Sequence, residues 1–271
     1  MERAGLTRSG RSRDRSRAVA WYTWVVNGGP ASGRDGVLDN AAWHSLVGPH
    51  AGFAVGEGRA RAYRDDVSVF SAAVDDSATS WEDLRALTAS DGVVVLFRGD
   101  PITVPAGWHQ AFRGEGHQMV LTGSLAPVPP PPAVDARTGA AVTVRPLEAT
   151  DAQAMVDLVA LTEPGPFRPR THELGGYVGI FHDDRLVAMA GRRMHPPGFI
   201  EVSAVCTHPE ARRRGYASVV SALVAAAILE EGETPFLHVA VTNTSAFAVY
   251  ELLGFTTRRV VAYGAYRVPR P

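Results

Sequence analysis

One stretch constrains the fold more than any other: Val205-Cys206-Thr207-His208-Pro209-Glu210-Ala211-Arg212-Arg213-Arg214-Gly215-Tyr216-Ala217. It reads as a strand, a tight basic turn and the first turn of a helix. The run Phe199 to Thr207 is apolar and rich in β-branched residues, which suits a buried strand. Downstream, Val219, Val220, Leu223, Val224, Ala227 and Ile228 recur at helical spacing, and Gly232 is a natural stop. Three arginines, a glycine and a small residue lie between. At a helix N-terminus these supply free backbone N–H groups, the positive dipole end and room for close approach, which is what an anion such as a phosphate requires.

A chain of 271 residues that is 45% hydrophobic buries a sizeable core. Its net charge of -1 argues against general nucleic-acid binding. All 27 basic residues are Arg, which fits the coding bias of a GC-rich, bacterial genome. A single cysteine, Cys206, excludes an intrachain disulfide and a cysteine-based zinc cage, and fits a reducing, cytoplasmic setting. No apolar run reaches the ~18–20 residues of a membrane span. Val19–Val26 is too short for a secretory signal.

Composition divides the chain. Residues 1–36 begin with Arg3, Arg8, Arg11, Arg13, Arg15 and Arg17 among Ser and Gly, and are expected to be a disordered extension. Residues 37–126 read as a smaller α/β domain with a short helix through Trp43 and Leu46 capped by Asp39 or Asn40. Its strands are expected at Val67–Val74, Val93–Phe97 and Met119–Leu121, with a helix begun by Ser80. His44, His50, His109 and His117 lack the spacing of a helical metal site. Pro127 and Pro129 to Pro132 mark a linker over 127–139.

The second domain, 140–271, reads β-α-β-β-β-α-β-α-β, giving a mixed sheet covered by helices. Its strands are predicted at Val142–Leu147, Tyr177–Phe181, Leu186–Met194, Phe199–Thr207, Phe236–Val241 and Val260–Val268. Its helices start at Thr150 or Asp151, at Tyr216 and at Ser245. Pro164, Pro166 and Pro169 open a loop over Gly165–Gly175.

Arg212-Arg213-Arg214-Gly215-Tyr216-Ala217 matches a Gln/Arg-x-x-Gly-x-Gly/Ala loop. Asn243-Thr244-Ser245-Ala246-Phe247-Ala248-Val249-Tyr250-Glu251-Leu252-Leu253-Gly254-Phe255 matches Asn-x-x-Ala-x-x-x-Tyr-x-x-x-Gly-Phe. Together, in this order, they resemble the GNAT superfamily of acetyl-CoA-dependent N-acetyltransferases over about 140–271. The branch with a degenerate N-terminal GNAT-like half is the nearest in organisation. The implied fold is a mixed, mostly antiparallel sheet flanked by helices.

The resemblance also implies roles. CoA pyrophosphate sits on backbone N–H groups from Arg213 to Ala217, through Gly215 and Tyr216, with Arg212 and Arg214 adding charge. Val205 and Thr207 pair with the pantetheine arm, and the Val205 N–H faces the thioester oxygen. Asn243 caps the next helix and, with Ala246, contacts CoA; a plain N-cap is the alternative. Tyr250 protonates the leaving thiolate, or is a core tyrosine beside Phe247 and Leu253. Glu201, of one strand parity with Ser203 and Val205, is either the base or an ion-pair partner of Arg192 or Arg193. His172, His208 and His238 are alternative bases, and Cys206 reads as core. The implied reaction is direct transfer of acetyl from acetyl-CoA to an amine, without metal, in a monomer or homodimer. The rivals are an acyl-CoA-binding regulatory module without catalysis and a nucleic-acid binder resting only on residues 1–18.

Overall fold

A long strand early in the chain decides how the sheet is built. The computed structural model describes residues 34–88 and 92–268. The first half contributes α1 (Ala41–Leu46), β1 (Ala54–Val55), β2 (Ala60–Tyr63), β3 (Ser71–Ala73), α2 (Ala78–Ala86), β4 (Val93–Arg98) and β5 (His109–Leu121). After the proline run come β6 (Val142–Pro146), α3 (Ala152–Thr162), β7 (Val178–His182), β8 (Arg185–Arg192), β9 (Phe199–Thr207), α4 (Tyr216–Glu230), β10 (Thr234–Ala240), α5 (Thr244–Leu252) and β11 (Phe255–Arg267). The element order expected of the second half is therefore present. In the first half, β5 is far longer than the predicted Met119–Leu121, β3 is shorter than Val67–Val74, and Ser77 rather than Ser80 caps α2. The expected extension falls, over residues 1–33, outside the described residues.

Strands β1, β2 and β3 form a small sheet; the other eight form one sheet in the order β4-β11-β5-β10-β9-β8-β7-β6. All neighbours in the large sheet are antiparallel except β9 and β10. The two-domain division at 127–139 is corrected here. Both neighbours of β11 come from before the proline run, and β5 lies between β10 and β11. One apolar cluster joins Leu38, Tyr63 and Phe70 to Met194, Phe199 and Phe236. Residues 37–271 accordingly form one compact unit. The linker is itself anchored: Asp135 is buried and Val134 bridges Ala141.

Helices cover both faces of the sheet. On one, α4 buries Val220, Val224, Ala225 and Ile228 against Ala188, Ala190, Ile200 and Val202; each Val or Ile so buried contributes about 1.5–3 kcal/mol. On the other, Met155 and Leu158 of α3 pack with Met189 and Cys206. Gly232 ends α4 at φ 80°, where a side chain on Cβ would be strained.

A bulge interrupts β9. Between the pairs Gly191↔Ser203 and Met189↔Cys206, β8 advances two residues and β9 three. The extra residue sits at Ala204, whose φ is 53°. The bulge reverses side-chain parity: Ile200 and Val202 share a face with Val205, and Ala204 packs with Cys206 on the other. The expectation that Glu201 and Val205 share a face is thus overturned.

Candidate active site

The cleft forms where two parallel strands part. Strand β10 pairs with β9 only over Thr234↔Phe199, Pro235↔Ile200 and Phe236↔Glu201. Beyond that point β10 stays with β5, from Phe236↔Val120 to Ala240↔Gly116, while β9 bends at its bulge. The resulting opening is about 850 Å³, the size of a small-molecule site. Its walls include Val205, Thr207, Arg212, Arg213, Gly215, Tyr216, Ala217, Asn243, Ala246 and Tyr250. Of the predicted site residues, only Glu201 and Arg214 are missing from the wall.

At one end lies the N-terminus of α4. Gly215, at φ 76°, is its N-cap, and no side chain caps the helix. The first helical bond runs from the Val219 N–H to the Gly215 carbonyl. The N–H groups of Tyr216, Ala217 and Ser218 are left to face an anion. Arg213 at φ 64° and Gly215 place two left-handed residues in this turn. Arg212 and Arg213 are exposed and, among the described residues, have no carboxylate partner; the Arg212 side chain donates to the Thr207 carbonyl at 3.4 Å. Arg214 departs from its expected place. It turns to Asp135 and to the Glu210 carbonyl, away from the cleft, and its hydrogen bond holds the Asp135 carboxyl far below the usual range. The Tyr216 side chain is buried against His182, 2.9 Å from its hydroxyl, so this residue offers its backbone.

Along the strand edge, Thr207 Oγ1 is buried without a hydrogen-bond partner. An extended ligand with amide groups would satisfy it, and no β10 residue pairs with β9 past Glu201 to compete. Asn243 caps α5 through Oδ1, which accepts from the Ala246 N–H at 3.2 Å and from Ser245 Oγ at 3.1 Å. Tyr250, 7% exposed, lines the cleft, and its hydroxyl makes no hydrogen bond with the described residues. Burial, with Cys206 and Glu201 nearby, raises its pKa, so the phenol stays protonated. Burial likewise pushes the Cys206 thiol to about 11, keeping it neutral, as a core cysteine is.

Glu201 is fully buried and saturated. Its Oε1 accepts from Arg193 Nη2 at 2.5 Å and His238 Nδ1 at 2.7 Å; its Oε2 accepts from Arg193 Nε at 2.8 Å and the Met194 N–H at 3.2 Å. Burial raises its pKa, but Arg193 and His238 outweigh that and hold it below the usual carboxylate range. Of the two arginines expected as partners, Arg193 is the one used; Arg192 bonds Glu231. Its tautomeric partner is fixed as well. Arg258 donates to Gln118 Oε1 at 2.8 Å, so the Gln118 amide donates to the Leu38 carbonyl at 2.8 Å and to His238 Nε2 at 3.1 Å. His238 therefore carries its proton on Nδ1, with both nitrogens engaged. His172 caps a turn at Pro169 and His208 one at Glu210. Strand β5 supplies Gln118, a residue that no local sequence signal marks.

No group of three or more His, Cys, Asp or Glu among the described residues is arranged to hold a metal ion. No helix among them is long and apolar enough to cross a membrane.

Comparison with known proteins agrees with this geometry. The family described as FR47-like protein matches residues 177–263. A GNAT-family protein from Novosphingobium aromaticivorans is 33% identical, with a TM-score of 0.72, over 84% of this chain and 97% of its own. A GCN5-related N-acetyltransferase from Kribbella flavida shares the fold at 19% identity, with a TM-score of 0.56, over 85% of this chain and 95% of its own. A GCN5-related N-acetyltransferase-like protein from Streptococcus suis does so at 16% identity and TM-score 0.50, over 93% and 98%. No curated protein matches the chain.

Proposed function

The chain belongs to the GNAT family of acetyltransferases, and from that premise we propose that it moves an acetyl group from acetyl-CoA to a primary amine within a ternary complex. The observation that carries this reading is the cleft itself. It has an uncapped helix N-terminus with Arg212 and Arg213 at one end and the unbonded Tyr250 hydroxyl in its wall.

In this reading the CoA pyrophosphate takes the N–H groups of Tyr216, Ala217 and Ser218 together with Arg212 and Arg213. The pantetheine arm runs along β9, meeting Thr207, and the Val205 N–H receives the thioester oxygen. The amine nitrogen attacks the carbonyl carbon, and a C–N bond forms as the C–S bond breaks. The Tyr250 phenol gives its proton to the departing thiolate and recovers one from the amine through water. Asn243 acts first as a helix cap. Glu201 serves as an anchor for Arg193 and His238, because four donors occupy its oxygens and leave none for an amine.

Thiol release from acetyl-CoA with a panel of primary amines, with mass spectrometry of the product, tests the reading. Amine-dependent release with a mass gain of one acetyl group supports it. Tight acetyl-CoA binding without release for any amine would instead favour a regulatory, non-catalytic module.

A further inference from the structure

With Glu201 and His238 saturated, the acceptor amine needs another counter-charge in the cleft. The wall contains a single carboxylate among the described residues, Glu163. It is exposed, and its side chain makes no hydrogen bond or ion pair with the described residues. Nothing in the sequence patterns singles it out.

Its backbone is unusual on two counts. Glu163 is the C-cap of α3, at φ 47° and ψ 51°, a left-handed seat that glycine fills at least cost. It also precedes Pro164, and a residue before proline is pushed toward extended backbone. A glutamate held there against both preferences is a strained residue at a cleft, the setting in which such strain accompanies function. The strain is not needed to end the helix, since Pro164 already prevents its continuation.

The position is anchored beside the reacting groups. The neighbouring Thr162 hydroxyl is held within α3, donating to the Leu158 carbonyl at 2.6 Å, and Thr162 and Glu163 share the cleft wall with Val205, Cys206 and Tyr250. Helix α3 reaches the cleft from the face opposite to α4. The cleft is thus polarised: Arg212 and Arg213 approach from the α4 face, and Glu163 from the α3 face. An anionic donor and a cationic acceptor would be sorted by charge to their own sides.

Resting on the acetyltransferase reading, we propose that Glu163 receives the ammonium group of the acceptor, making the preferred acceptors amines that are cationic when they bind. Its role is recognition: the carboxylate pairs with the incoming R–NH3+ and positions it beside Val205 and Tyr250, and the ammonium releases one proton to solvent water before the neutral nitrogen attacks.

The test compares the parent with Glu163→Gln and Glu163→Gly, using CoA-loaded protein and four probe amines: glycinamide, a tripeptide with a free N-terminus, cadaverine and glucosamine. Calorimetry of amine binding and thiol release from acetyl-CoA are both measured. Both variants should bind acetyl-CoA like the parent, but lose about 10- to 100-fold in amine affinity and in kcat/KM for the amine. Glu163→Gly, freed of backbone strain, should melt no lower than the parent. A residue with a merely structural role would move stability and leave amine affinity alone. The proposal is overturned if both variants bind the probes as tightly as the parent does, or if the CoA-loaded parent binds none of them. Amine binding by the parent that both variants lose, with no thiol release from the parent, would count against the catalytic reading and leave recognition by Glu163 standing.

Discussion

Glu201 and Arg193 face each other through two hydrogen bonds, of 2.5 and 2.8 Å, at the point where β9 and β10 separate. Arg193 lies over the rings of Phe70 and Phe97, both from the first half of the chain, at 4.9 and 5.5 Å. The pair thus ties the vertex of the cleft to the elements packed beneath it. The oxygens of the carboxylate that the sequence offers as a base are occupied here by Arg193, His238 and the Met194 N–H.

Breaking this pair on one side should be costly. Glu201→Ala leaves Arg193 buried without its counter-charge, and such a loss is worth about 3–5 kcal/mol. The pH dependence follows from the depressed pKa of Glu201. A carboxylate ionised more readily when folded contributes stability above the unfolded value of ~4.3, and that contribution fades as pH falls through the folded value. The parent's resistance to urea should therefore fall below about pH 4, and Glu201→Ala should flatten that part of the profile. Parallel profiles for parent and variant would remove the pair from the acid response.

The arginines of the basic turn should separate into two classes. Arg212→Glu with Arg213→Glu should abolish the rise in melting temperature that acetyl-CoA produces by binding the folded form. Arg214→Ala should lower the melting temperature of the free protein, because Asp135 and the Glu210 carbonyl lose their partner. Its acetyl-CoA affinity should stay within a few-fold of the parent's. An Arg214 variant that fails to bind while remaining fully stable would reverse the assignment.

The second half should not fold alone. A chain beginning at Thr138 carries every motif, yet it lacks β4 and β5, the two strands that flank β11 in the sheet, and with β5 the partner that holds β10 away from β9. Two strand edges and the buried faces of Met119, Val120 and Leu121's neighbours would be exposed. The fragment should be insoluble or lack a cooperative thermal transition. A soluble fragment with a sharp transition and acetyl-CoA binding would restore the division at 127–139.

What could be read from sequence follows from locality. The strand-turn-helix at 199–230, the Asn243 cap and Tyr250 rest on contacts within a few residues of one another, so spacing reveals them. The place of β5 rests on pairing between residues more than a hundred positions apart, such as Gln118 with His238, and nothing near His109–Leu121 announces it. The bulge at Ala204 was equally hidden, since alanine carries no signal for a left-handed φ. From that one residue came the wrong parity for Glu201. Arg213 and Arg214 are chemically identical in the sequence; only the fold shows that Asp135 claims one of them.

Tyr250→Phe separates catalysis from folding most cleanly. The hydroxyl has no hydrogen-bond partner among the described residues, while the ring packs against Phe255 with centroids 6.2 Å apart. Removing the oxygen alone keeps that packing, so the melting temperature should change little and acetyl-CoA affinity should stay within a few-fold. Turnover should fall by ~10²–10⁴, the usual worth of a general acid, with the lower end expected where water can reach the thiolate. The pKa gives the matching pH behaviour. Because burial raises it above the ordinary value of ~10, the phenol remains a donor throughout the neutral and mildly alkaline range, and no loss of parent activity should set in below about pH 10 from this group. Pre-steady-state thiol release in the parent and in Tyr250→Phe, with the chemical step resolved from product release, decides the point. Equal chemical rates would take Tyr250 out of the mechanism, and a collapse of acetyl-CoA binding would mark its hydroxyl as part of the binding surface.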